Sequence, residues 1–145
     1  MRNNTYIILY LFFILNITQA QTISDNFQGT GTITSWVGDD CGMDSNFNNP
    51  FQLGINTSTK VLKYTDTGSQ YANVRFDTAS NFNLTSNSTF SLKIYVPSSG
   101  ITGNQTNRIS LKLQNGLLPQ PWSTQCEIIK PILLNHYSNK YLIKI

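Results

Sequence analysis

Phe90, Leu92, Ile94 and Val96 alternate with Ser91, Lys93 and Tyr95, and an apolar-polar period of two marks a strand with one buried face. Ile109-Ser110-Leu111-Lys112-Leu113-Gln114 repeats that period. The turn formers of Pro97 to Asn104 lie between the two runs, which are therefore expected to be antiparallel neighbours. Val61-Leu62-Lys63-Tyr64 and Tyr71 to Phe76, flanking a polar stretch with Gly68, predict a second such pair. Cys126 to Leu134 is rich in β-formers, and Pro131 within it fits only an edge strand or a bulge. No stretch sets apolar residues at i, i+3, i+4 and i+7 with caps over more than two turns. The expectation is an all-β domain, and short strands divided by Asn, Gly, Ser and Thr turns predict a two-sheet β-sandwich or jelly roll rather than a barrel.

A length of 145 residues allows one small domain. Ten Lys and Arg stand singly against seven Asp and Glu, for a formal charge of +3, and with no basic cluster to follow a phosphate backbone, nucleic acid is excluded as a partner. Glu127 is the one Glu. The polar surface is therefore mostly amide and hydroxyl, as in extracellular β proteins.

At the amino terminus, Arg2 precedes an apolar run from Tyr6 to Ile17, and Thr18-Gln19-Ala20 places small residues before Gln21. This predicts a secretory signal peptide over residues 1–20. The run is shorter than the roughly 18 residues of a membrane span, and no second such run follows, so the mature chain is expected to be exported or held at the cell surface with a formal charge of +2. Export would place Cys41 and Cys126, the two cysteines, where a disulfide between them persists. Closing so long a loop would stabilise the fold by about 4 to 5 kcal/mol in the chain-entropy view.

Trp36-Val37-Gly38-Asp39-Asp40-Cys41-Gly42-Met43-Asp44 gathers carboxylates around one presumed half-cystine. Asp39, Asp40 and Asp44 with Asn46 offer oxygens for a structural Ca²⁺. Their spacing is not that of an EF-hand, and Asp-Gly clusters are equally turn formers. Around the second cysteine runs Pro119-Gln120-Pro121-Trp122-Ser123-Thr124-Gln125-Cys126-Glu127. A disulfide would hold the two backbones within about 7 Å and so bring Trp36 towards Trp122. A sugar ring offers an apolar face rimmed by hydroxyls, which an aromatic plate and amide, carboxylate or guanidinium groups recognise. Trp36, Trp122, Tyr71, Arg75, Asp39, Asp40 and Gln125 are the candidate ligand-binding residues on this reasoning. The alternative is that both tryptophans pack inside against the disulfide.

Catalysis is not expected. Glycoside hydrolysis needs two positioned carboxylates, whereas Glu127 has no Glu partner and the adjacent Asp39 and Asp40 would point to opposite sides of an extended strand. His136 is the single His, and no G-x-S-x-G, H-E-x-x-H or phosphate-cradling glycine loop is present. Asn-x-Ser/Thr triplets begin at Asn56, Asn83, Asn87 and Asn104 and matter only in a eukaryotic secretory route.

Asp25-Asn26-Phe27-Gln28-Gly29, the Trp36 to Cys41 segment, Val61 to Tyr64, Tyr71 to Val74, Phe90 to Pro97 and Trp122 to Cys126 occur in an order that resembles accessory carbohydrate-binding-like domains of secreted glycan-degrading proteins of Bacteroidetes. The resemblance covers about Asp25 to Pro131. It implies a jelly roll of the galactose-binding-like kind, a polysaccharide or oligosaccharide as partner, and a glycoside hydrolase domain or surface-sorting tail attached elsewhere. Such domains continue through several more strands, whereas here Asn135 to Ile145 departs from their pattern. The expected organisation is a signal peptide at 1–20, a β-sandwich at 21–134, and a divergent tail at 135–145. That tail is either a short final strand or the mark of an incomplete, truncated or frame-shifted sandwich. The expected function is non-catalytic carbohydrate binding. The alternatives are an N-terminal fragment of a secreted glycoside hydrolase and a cell-surface adhesion domain.

Overall fold

A computed structural model describes residues 22–85, 88–104, 106–135 and 140–144. The expected signal peptide, its cleavage point before Gln21, the triplet at Asn87 and His136 lie outside the described residues. The chain is all-β, with strands β1 (Val37–Asp39), β2 (Cys41–Asn48), β3 (Lys60–Asp66), β4 (Asn73–Arg75), β5 (Thr89–Lys93), β6 (Arg108–Leu113), β7 (Cys126–Pro131) and β8 (Lys140–Lys144). Two short 3-10 turns, Ser98–Gly100 and Pro121–Thr124, complete the regular structure. No helix among the described residues is long and apolar enough to cross a membrane.

The strands form four antiparallel two-stranded ladders, β1 with β4, β2 with β3, β5 with β8 and β6 with β7. Two expected pairings are therefore corrected. The run at β5 does not pair with β6, and β3 does not pair with β4. Alternation dictates which face of a strand is apolar, but it does not name the partner. In the β6-β7 ladder β6 sorts its faces as its alternation predicts, whereas on β7 Lys130 stands opposite Ile109 and Ile129 is exposed opposite Ser110. Register places Leu111 opposite Ile128 and Leu113 opposite Cys126, while Arg108, Ser110 and Lys112 oppose Pro131, Ile129 and Glu127 on the other side. Ile109, Leu111 and Leu113 are half-buried and the residues between them exposed. Pro131 is the last residue of its strand, a position where a missing N–H breaks no interior rung. The tail contributes β8, whose register runs from Thr89 opposite Lys144 to Lys93 opposite Lys140.

The Gly/Asp-rich segment, turn formers by propensity, forms two strands joined by a one-residue corner. Asp40 adopts φ 51° there, a left-handed conformation that Asp tolerates better than most residues. The corner folds β1 back over β2 so closely that a Cβ on Gly38 would meet Cys41 Sγ at 3.0 Å and Met43 Cβ at 3.1 Å. Further along β2 the register slips between Asp44, opposite Lys63, and Phe47, opposite Val61. Two residues on β2 thus face one on β3, a bulge. The extra residue turns Phe47 onto the side of Lys63, whose ammonium stands 4.8 Å from the ring centroid.

Burial is thin. Among the described residues Ile132 is the buried hydrophobic side chain and Asn49 the buried polar one. Asn49 closes the loop between β2 and β3: its N–H donates to Thr59 O at 2.9 Å, its side-chain amide to Ser58 O at 2.8 Å, and its Oδ1 accepts from Phe51 N at 2.9 Å. Half-buried aromatic pairs supply the rest of the packing. Trp36 lies against Phe27 at 5.7 Å and edge-on to Phe76 at 5.1 Å, Phe51 against Tyr95 at 4.3 Å, and Phe82 against Phe90 at 5.4 Å. Asn135 ties the end of the β7 segment to the chain beyond β5, donating from its backbone to Val96 O and accepting from Ser98 N at its side-chain oxygen.

Candidate functional site

The structure places the two tryptophans in different surroundings. Trp36 is half-buried between Phe27 and Phe76, and its indole N–H donates to Asp25 Oδ2 at 2.7 Å. The other oxygen of Asp25 accepts from Phe27 N at 2.7 Å, which holds Phe27 in a left-handed turn of φ 59°. Gly31 closes this turn tightly, since a Cβ there would fall 2.7 Å from Ser24 O and 2.8 Å from Asp25 Cα. With its edge and its N–H both engaged, Trp36 is tied into this aromatic cluster, away from any disulfide.

Trp122 is 62% exposed. It sits in the Pro121–Thr124 turn within the 114–125 loop that joins β6 to β7, and Pro at the first helical position presets that turn. Side-chain hydroxyls brace it, with Ser123 Oγ donating to Gln120 O at 2.8 Å and Thr124 Oγ1 to Pro121 O at 3.0 Å. Across the loop, Asn115 N donates to Thr124 Oγ1 at 3.3 Å and Gln114 Nε2 to Gln125 Oε1 at 3.2 Å. The Gln–Gln bond uses one N–H and one lone pair of two amides, each with further donor and acceptor capacity. At the stem, Lys112 pairs with Glu127 at 3.7 Å, and Ser110 donates to the same carboxylate. Glu127 therefore serves the ladder.

Asp39, Arg75 and Tyr71 belong to the β1-β4 ladder and its approach. Arg75 Nε donates to Asp39 Oδ2 at 2.8 Å and Nη1 to Asp77 Oδ2 at 2.7 Å. The hydrogen bond donated to Asp39 chiefly, with the charges of both carboxylates, holds the guanidinium pKa above its ordinary value. Both pairs are solvent-exposed, worth about 0 to 1 kcal/mol each. Tyr71 is 71% exposed, and its carbonyl accepts from Asn73 Nδ2 at 2.7 Å. Asp40 occupies the corner, its carbonyl accepting from Thr67 Oγ1 at 3.0 Å. Asp44 accepts from Asn46 N at 2.8 Å.

Two expectations are corrected here. Cys41 and Cys126 are both free thiols. Cys41 Sγ donates to Asn73 O at 3.2 Å, and Cys126 lies exposed at the start of β7. The bridge that was to draw Trp36 and Trp122 together is absent, so the two indoles do not form a shared cradle by that route. Nor are Asp39, Asp40 and Asp44 gathered into a Ca²⁺ site, because among the described residues no group of three or more His, Cys, Asp or Glu is placed to hold a metal. Asp39 is committed to Arg75, and the corner at Asp40 separates it from β2.

A feature that sequence reasoning missed lies on the β2-β3 ladder. Gly42, Met43, Asp44, Lys63 and Thr65 line a shallow depression of about 210 Å³. Gly42, with its register partner Thr65, leaves room there for want of a side chain. The one signal for it was Gly42, which the sequence offered as a turn former rather than as a strand residue.

Compared with known proteins, the chain matches no family model, no curated protein and no solved structure. Trp122 is an exposed indole in a loop of uncharged amides and hydroxyls, and Tyr71 is an exposed phenol on the approach to β4.

Proposed function

We propose that this chain is an exported, non-catalytic module that binds a polysaccharide or oligosaccharide, its ladders forming parts of a β-sandwich of the jelly-roll, galactose-binding-like kind. The observation that carries the reading is Trp122, held on a braced turn with most of its indole open to solvent and with the Gln114–Gln125 amide pair in the same loop. Leaving a large aromatic in water forgoes about 1.5 to 3 kcal/mol of burial, and an open indole plate suits the apolar face of a sugar ring. Tyr71, exposed on the approach to β4, is a second platform of the same kind, and Arg75 and Asp39 of the β1-β4 ladder are offered as its hydrogen-bonding groups.

Affinity gel electrophoresis tests this reading. Trp122→Ala should lose retardation in gels containing β-glucan or algal polysaccharide while keeping its far-UV spectrum. Trp36→Ala should instead lower stability. Equal migration of wild type and the Trp122 variant across a broad glycan panel would remove the proposal.

A second reading, a surface adhesion module that contacts protein, is favoured by one observation. Leu117, Ile129 and Leu133 are each more than half exposed, more apolar surface than a sugar site needs. Its mark would be capture of a protein partner with no glycan retardation.

A further inference from the structure

We infer that the glycan held at the 114–125 loop is an uncharged one, recognised through a single sugar ring stacked on Trp122. This rests on the carbohydrate reading above and names the ligand class of that same site.

The inference comes from where the charges lie. Residues 114–125 include no Asp, Glu, Lys, Arg or His. Along the chain, the nearest ionic groups are at the stem, where Lys112 and Glu127 pair at 3.7 Å. The remaining cations of the hairpin, Arg108 and Lys130, stand at its opposite end. Arg108 is opposite Pro131, whereas Leu113 opposite Cys126 borders the loop, and the five-residue step from Arg108 to Leu113 spans about 16 Å at strand rise. That exceeds the screening length of about 8 Å at physiological ionic strength, so neither cation answers a carboxylate or sulfate on a ligand seated at Trp122. A charged sugar there would be desolvated against indole and amide with no counter-ion, a cost that a neutral sugar avoids. What the loop does supply is matched to hydroxyls. Gln114 and Gln125 carry both donors and acceptors, and Ser123 and Thr124 hydroxyls already anchored to the turn keep acceptor lone pairs. The loop offers one aromatic plate, because Trp122 is its single aromatic residue, so the contact extends over one ring face rather than a stacked series.

Hydroxyethylcellulose and carboxymethylcellulose share a β-glucan backbone and differ in charge, which makes them the probes. In affinity gels the intact exported chain should be retarded by hydroxyethylcellulose equally at low and high salt. Trp122→Ala should weaken that retardation about tenfold, equivalent to about 1.4 kcal/mol, and Trp122→Phe should restore part of it. Any retardation by carboxymethylcellulose should fall with salt and be the same in Trp122→Ala, as expected of general attraction to a basic chain. Tighter, Trp122-dependent binding to carboxymethylcellulose would overturn the neutral class while leaving the carbohydrate reading in place. No retardation by either polymer, or by other neutral or anionic glycans, would overturn both.

Discussion

Asp25 carries more of this fold than its position in an irregular segment suggests. One carboxylate oxygen accepts the indole N–H of Trp36 and the other the backbone N–H of Phe27, so two donors in a half-buried aromatic cluster depend on one side chain. Asp25→Ala should cost about 2 kcal/mol, the scale of leaving a buried donor unpaired. Urea unfolding would measure it, and an unchanged midpoint would refute the assignment. The thiols give a second residue-scale outcome. Iodoacetamide without reductant should label both cysteines, exposed Cys126 faster than half-buried Cys41. Intact mass unchanged by alkylation would restore the disulfide. The resemblance noted from Asp25 to Gly29 rested on residues that the structure uses for a turn and an aromatic anchor. What the sequence left undecided was the role of each tryptophan, since burial depends on partners such as Phe27 and Phe76 that lie nine and forty residues away.

At the scale of elements, strand positions were legible and partners were not. β3, β6 and β7 fall close to where alternation and β-propensity put them, β4 falls inside a longer predicted run, and β5 starts one residue before its predicted run and stops three residues short of its end. β1 and β2 were hidden, because Gly38, Asp39 and Gly42 are turn residues by propensity and become strand residues only through pairing with β4 and β3, with Asp40 as the corner between them. The expected partners failed for β5, which pairs with β8 instead of β6, and for β3, which pairs with the strand before it across the Asn49 loop instead of the one after it. Nothing local encodes the β2 bulge that shapes the Lys63 face. The β2-β3 ladder also carries a pH dependence. Burial, then the charges of Asp66 and Cys41, raises the Tyr64 pKa above 10.0, so the folded state favours the neutral phenol. That contribution is fully present below about pH 10 and is lost as pH rises through the folded-state value. Stability measured by denaturation between pH 9 and pH 11, on either side of the ordinary tyrosine value near 10, should fall more steeply in wild type than in Tyr64→Phe. Parallel curves would refute the role of Tyr64.

For the molecule as a whole, the balance of forces differs from that of a sealed sandwich. Ile132 is the buried hydrophobic side chain among the described residues, while ring pairs and loop hydrogen bonds hold the ladders. A fold that buries so little apolar surface exposes little more on unfolding. Its urea m-value should be at or below about 1 kcal/mol/M, the lower end for small proteins, and ANS should fluoresce in native buffer as it does with loosely packed states. A high m-value with no dye binding would show a closed core.

Because each ladder has only two members, every strand among the described residues keeps one row of amide N–H and carbonyl groups without a ladder partner. Such rows are templates for backbone from another molecule. Protein stocks should thicken with concentration and time rather than with salt, and a Pro at the close of β7 together with lysines on β3, β5, β6 and β7 would slow that growth by denying it regular rungs and adding repulsion.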